Sequence, residues 1–142
     1  MHAIVIYESL TGNTRRASEV IAEELAAAGV TVTVSPITAI DYAALSAADL
    51  VFLGSWVDGL LFVGQKPGRA GRMAKLLPAM RGKRCVVFCT YAIDSGKTLE
   101  KLTALAESAG AEVLGGLTIH RRHIEEGARD LVRRTLEVVS SA

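Results

Sequence analysis

The stretch Ser9-Leu10-Thr11-Gly12-Asn13-Thr14 stands between a strand-like run, Ala3–Tyr7, and a segment with helical spacing that ends at Gly29. In such a loop, the backbone N–H groups at the start of the helix form a concave anion site, which the helix dipole strengthens. Gly12 permits a tight turn, while the serine and the two threonines add neutral hydroxyl donors. Because the loop contains no lysine or arginine, it favours a terminal monophosphate held by hydrogen bonds alone.

Two other phosphate motifs do not fit this sequence. No Gly-x-Gly-x-x-Gly dinucleotide pattern follows the first strand, and Gly96-Lys97-Thr98 lacks the upstream glycine of a nucleoside-triphosphate loop. The remaining structural alternative is a helix cap, which needs one hydroxyl residue rather than three around a Gly-Asn pair.

Strand-like and helix-like segments alternate along the rest of the chain. This alternation predicts an α/β fold of one domain, residues 1–142, with a doubly wound five-stranded parallel sheet and helices on both faces. The third strand has no polar position between Leu50 and Leu53, so we expect it to be central. The Gly115-Gly116 pair indicates a bulge in the fifth strand. The further strands are predicted at 30–34, 48–54, 84–90 and 111–119, and the helices at 13–28, 73–80, 97–109 and 125–139.

Composition limits the classes of partner. The 142 residues carry a net charge of +1, which predicts no general attraction to nucleic acid or to a membrane surface. No apolar run approaches the roughly 18 residues of a membrane span, and the first residues lack a signal-peptide pattern, so a cytoplasmic location is expected. Cys85 and Cys89 share one face of a strand about 13 Å apart, which excludes a disulfide and predicts two core residues.

The segment Tyr7–Thr14 resembles the Ser/Thr-x-Thr-Gly-x-Thr motif with which flavodoxins bind the phosphate of flavin mononucleotide (FMN). The resemblance to this family implies the flavodoxin-like strand order 2-1-3-4-5, with FMN at the switch point between strands 1 and 3. It also implies an FMN-binding electron-transfer protein, more an electron carrier than a stand-alone enzyme. The alternative is a small FMN-dependent reductase acting with a nicotinamide, deazaflavin or quinone substrate.

The same resemblance places two more loops at the cofactor. After the third strand, Trp56 is expected in a loop as a flavin-stacking ring, and after the fourth strand Tyr91 is the second candidate ring. The alternatives are a tryptophan packed on its own loop and, for Asp94, a residue of a helix N-cap. No catalytic or metal-ligating residue is assigned. The expected cofactor-binding residues are Ser9, Leu10, Thr11, Gly12, Asn13, Thr14, Ser55, Trp56, Gly59, Thr90, Tyr91 and Asp94.

One basic stretch departs from the acidic character usual in flavodoxins. Residues 57–72 are expected to form a long loop without regular structure, and Lys66, Arg69 and Arg72 within it predict an anionic redox partner protein or small donor. A solvated charged loop is the alternative. The segment 120–123, His-Arg-Arg-His, follows the last strand and is interpreted as a solvated connection rather than a metal site.

Overall fold

The computed structural model describes residues 1–9, 12–58, 66–67 and 70–141. The strands are β1 His2–Tyr7, β2 Thr31–Pro36, β3 Leu50–Asp58, β4 Lys66–Pro67, β5 Arg84–Tyr91 and β6 Glu112–His120. The helices are α1 Asn13–Ala27, α2 Tyr42–Ala47, α3 Ala70–Leu76, α4 Thr98–Ser108 and α5 Ile124–Ser141, and a 3-10 turn spans Ile37–Ala39.

The five long strands form a parallel sheet in the order β2-β1-β3-β5-β6. The two-residue strand β4 lies off this path and pairs antiparallel with the end of β3. When the five long strands are numbered without β4, this order is 2-1-3-4-5, and the central strand is β3. The predicted fold class and the central third strand are therefore confirmed.

Both faces of the sheet are covered by helices. On one face, alternate strand residues such as Val5 and Phe52 pack with Ile21 of α1 and Leu131 of α5. The other face, which includes Leu53, packs with α3 and α4. The connections that leave β1 and β3 thus diverge to opposite faces, and this divergence opens a crevice at the carboxyl ends of these two strands.

Several predicted boundaries were wrong. Strand β3 continues to Asp58 rather than ending at Gly54, so Trp56 lies in a strand and not in a loop. The helix predicted at 73–80 spans Ala70–Leu76. It ends before Leu77 because Pro78 disfavours helical backbone in the residue before it. The expected irregular loop at 57–72 is also wrong in part, since it includes the end of β3, strand β4 and the start of α3. Residues 59–65 and 68–69 lie outside the described residues.

The two cysteines occupy the core, as predicted. Both are free and fully buried on the α3/α4 face of the sheet. Burial raises the pKa of each thiol to about 12. The predicted bulge is also confirmed, because the register of β5 and β6 shifts between Cys85 and Val86 at the level of Gly115.

No helix within the described ranges combines the length and the apolar character needed to cross a bilayer.

Candidate functional site: a crevice at the carboxyl ends of the central strands

Two described residues of the segment after β1, Ser9 and Gly12, lie at the amino terminus of α1. Gly12 adopts a left-handed conformation with φ of 95° immediately before the helix, which glycine tolerates best. The Ser9 hydroxyl oxygen accepts hydrogen bonds from the backbone N–H groups of Gly12 at 3.2 Å and Arg15 at 3.4 Å. Ser9 therefore binds backbone N–H groups at the positive end of the helix dipole. The predicted site residues Leu10 and Thr11 lie outside the described residues.

A buried hydrogen bond joins the start of α1 to the end of β5. The Thr14 and Thr90 hydroxyl oxygens lie 2.8 Å apart, and either can be the donor. Thr14 is fully buried and Thr90 nearly so. Each hydroxyl has one hydrogen. The Thr14 hydroxyl can therefore donate to another group only if, in this bond, Thr90 is the donor and Thr14 is the acceptor.

The arginines directly after the loop are engaged by carboxylates. Arg15 pairs with Glu19 at 3.1 Å, and Arg16 donates to Glu125 of α5 at 2.8 Å. This hydrogen bond raises the pKa of Arg16 and lowers the pKa of Glu125. The pair therefore also ties the start of α1 to the start of α5.

A cavity of about 260 Å³ lies between the ends of β3 and β5, beside the start of α1. Trp56 and Tyr91 both line it, although the two side chains come from different strands. Trp56 stands opposite Thr90 in the β3–β5 register. Its indole N–H is buried, and no described residue provides an acceptor for it. The residues that line the cavity are Asn13, Trp56, Val57, Thr90, Tyr91, Ala92 and Arg121.

Ser55 and Asp94, which were predicted to bind the cofactor from the segments after the third and fourth strands, do not line this cavity. Ser55 is fully buried and donates to the Trp56 carbonyl at 3.2 Å. Successive strand residues point to opposite faces of a sheet, so its side chain and that of Trp56 lie on different sides. Asp94 is exposed, and its carboxylate accepts from the Gly96 N–H at 3.1 Å. Gly59 lies outside the described residues.

A second cavity of about 290 Å³ flanks the loop on the side of β2. Its lining includes Ser9, Gly12 and Arg15 from the loop region, the nearly buried Glu8, and the turn after Pro36. Neither of the two candidate aromatic rings, Trp56 and Tyr91, is among the residues that line this second cavity.

Sequence reasoning did not assign three of the cavity residues: Val57, Ala92 and Arg121. Val57 was missed because β3 was predicted to end too early. Arg121 follows β6, the neighbour of β5, and its N–H donates to the Tyr91 carbonyl at 2.9 Å. The available signal was its place directly after a strand, since parallel strands end at one edge of the sheet.

The comparisons with known proteins agree with this architecture. A family model described as "Flavodoxin domain" matches residues 4–129. Oxidised flavodoxin 1 from Bacillus cereus is similar at 20% identity and a TM-score of 0.75, over 100% of this chain and 99% of that one. A point mutant of flavodoxin from Pseudomonas aeruginosa gives 17% identity and a TM-score of 0.71, covering 99% and 97% of the two chains. Two-electron reduced flavodoxin from Megasphaera elsdenii is similar at 20% identity and a TM-score of 0.68, over 92% of this chain and 98% of that one.

No curated protein sequence matches the chain significantly. The structural likenesses show the fold, and the family model shows the family. The chain belongs to the flavodoxin family. The predicted function of an FMN-binding, electron-transferring flavodoxin-like protein is thereby confirmed at the level of the family.

Proposed function

We propose that the cavity between β3 and β5 receives the flavin ring of FMN and that the loop at residues 9–14 receives its phosphate. The observation that carries this proposal is the cavity itself, which has two aromatic side chains and adjoins the amino terminus of α1. The buried Trp56 N–H supports it, because a buried indole N–H usually has an acceptor. The donor set of the loop suits a phosphate anion.

The residues of the chain have distinct roles in this proposal. Trp56 and Tyr91 provide aromatic surface against the flavin, and Thr90 holds the start of α1 against β5 through its bond to Thr14. The predicted set of Ser9, Leu10, Thr11, Gly12, Asn13 and Thr14 surrounds the phosphate. When bound, FMN supplies the electron-transfer chemistry, and the protein supplies binding and orientation.

An electron carrier fits this cavity better than an enzyme with acid–base catalysis. None of the described residues that line it is a carboxylate or a histidine, and its one charged side chain is Arg121. Arg121 is the reason to keep a reductase as the second candidate function, because a guanidinium can bind the phosphate of a nicotinamide or deazaflavin donor. Turnover with a reduced donor and no protein partner would distinguish the reductase from the carrier.

The cofactor proposal is tested by titrating the apo-protein with FMN and with riboflavin, following the quenching of flavin fluorescence. Hydrogen bonds to a charged group contribute about 1.5–3 kcal/mol each, so FMN is expected to bind at least about tenfold more tightly than riboflavin. Equal affinities would contradict the phosphate site. Trp56→Ala should weaken FMN and shift its visible spectrum, whereas Tyr42→Ala, at an exposed tyrosine on α2, is the matched control.

We propose further that the redox partner is anionic where it faces the flavin. The basic residues Lys66, Arg69 and Arg72 belong to the segment after β3, and the exposed Arg121 adds a positive charge at the cavity. Opposite charge accelerates encounter and selects orientation. A cytoplasmic location is part of this proposal, and the two free cysteines are compatible with a reducing compartment.

Charge reversal tests the proposed polarity. Arg121→Glu should slow oxidation of the reduced protein by ferricyanide, an anionic oxidant, and accelerate oxidation by a hexaammine cobalt(III) cation. Both effects should fade as salt rises, because exposed charges are screened over about 10 Å at 0.1 M. Arg81→Glu, an exposed site at the opposite end of the sheet, is the control. Rates independent of both charge and salt would contradict the proposal.

A further inference from the structure

His120, the last residue of β6, contacts the wall of the cavity without lining it. It stands opposite Tyr91 in the β5–β6 register. One ring nitrogen, Nε2, lies 2.8 Å from the Ala92 carbonyl oxygen, and the other, Nδ1, accepts the backbone N–H of Arg122 at 3.1 Å. A backbone N–H can only donate, so Nδ1 carries no hydrogen. Nε2 is therefore the protonated nitrogen of a neutral ring, and it donates to the Ala92 carbonyl.

Two of the residues that His120 contacts, Tyr91 and Ala92, line the cavity. Its ring meets the Tyr91 ring edge-on, with centroids 5.1 Å apart and planes at 88°. Edge-to-face aromatic contact of this kind is favourable and directional. Together with the Arg121 N–H bond to the Tyr91 carbonyl, these contacts attach the end of β5 to the end of β6. Beyond Ala92 the connection to α4 is exposed at Ile93 and Asp94, so the attachment is concentrated at the cavity.

We propose that His120 is a positioning residue for the flavin. Its neutral Nε2–H form fixes the Tyr91 ring and the Ala92 backbone on the cavity wall, so that these groups meet the flavin without being reordered on binding. This inference rests on the proposed place of FMN in the cavity. Ordering a loop in advance reduces the conformational cost of binding.

Two amide variants separate the two hydrogen bonds. In His120→Gln the terminal NH₂ occupies the place of Nε2 and keeps a donor for the Ala92 carbonyl. In His120→Asn the amide oxygen occupies the place of Nδ1, keeps the acceptor for the Arg122 N–H, and does not reach Ala92. We expect His120→Asn to weaken FMN about three- to tenfold, the effect of one lost hydrogen bond. His120→Gln should remain within about twofold of the wild type.

His123 provides a matched control. It lies on the same turn, is exposed, and its ring is 5.9 Å from that of His120. Its Nδ1 faces Glu126 at 3.8 Å rather than the connection after β5. His123→Gln should leave both the FMN affinity and the visible spectrum of the bound flavin unchanged, whereas His120→Asn should shift that spectrum.

The contacts of His120 that attach the end of β5 to the end of β6 can also be measured in the protein without FMN. In the apo-protein, nitrogen–proton correlation NMR of the imidazole rings should show His120 as the Nε2–H tautomer. The amide signals of Tyr91 and Ala92 should move in His120→Asn more than in His120→Gln. An Nδ1–H tautomer, or folded His120→Asn protein with wild-type affinity and spectrum, would overturn the inference. Wild-type protein that binds no FMN would overturn the proposed function instead, and the NMR result would then decide whether the attachment exists.

Discussion

The buried hydrogen bond between Thr14 and Thr90 allows a quantitative test of how the loop is held. Thr14→Val and Thr90→Val keep the side-chain shape and remove one hydroxyl each, so the other hydroxyl remains buried without its partner. An unsatisfied buried polar group costs about 1–3 kcal/mol, whereas replacing both partners by apolar groups of the same shape is nearly neutral. We therefore expect the double variant to cost less than the sum of the single variants.

The expected shifts are large enough to measure. For a chain of this length, 1 kcal/mol corresponds to about 3–4 °C in Tm, so each single variant should melt about 3–12 °C below the wild-type apo-protein. The double-mutant cycle should give a coupling energy of at least about 1 kcal/mol. Thr135→Val in α5 is the control, because the Thr135 hydroxyl donates to a carbonyl of its own helix. Additive losses in the cycle would refute the hydrogen bond as the link between the loop and β5.

Three further predictions concern the core and the helix pair. Gly54→Ala should lower stability by about 1–3 kcal/mol, because the added carbon would lie 2.1 Å from a phenylalanine ring of β5; an unchanged melting curve would contradict this close approach. At pH 8, Cys85 and Cys89 should react with iodoacetamide about a thousandfold more slowly in the native protein than in denaturant, because burial raises each pKa to about 12; mass spectrometry of the adducts measures this difference. The lowered pKa of Glu125 means that its stabilising pair with Arg16 is present above pH 4.5 and lost as the pH falls through the lowered value. The stability difference between the wild type and Glu125→Gln should therefore shrink from pH 5 to pH 3, as measured by urea denaturation.

The sequence predicted the elements whose signals are local. β-Branched runs marked the long strands, and Gly29 and Gly110 marked the ends of two helices closely. The extension of β3 depends instead on its pairing with β5, where Trp56 meets Thr90, and no local pattern contains that information. The short helix α2 was missed although a local signal existed: Asp41 precedes it, and its carboxylate accepts from the Ala44 N–H at 3.0 Å.

The candidate site was predictable to the extent that its residues belong to one motif. The loop after β1 could be read from consecutive residues, whereas the place of Arg121 at the cavity depends on the order of strands in space. Ser55 was assigned with Trp56 because the two are adjacent in sequence, yet the two-residue period of a strand separates their side chains. The contact between His120 and Ala92 spans 28 positions and depends on the geometry of both strand ends.

The bulge in β6 also affects how molecules of this protein meet each other. β6 lies at one edge of the sheet, where unpaired backbone groups form a template on which a strand from another molecule can add. Val113 pairs with Cys85 and Gly115 with Val86, so Leu114 has no partner in the register and interrupts the regular spacing of the edge. A bulge bends and twists its strand, which makes a long, straight intermolecular pairing unfavourable. The bulge therefore disfavours the addition of another strand along the edge strand that carries two consecutive glycines.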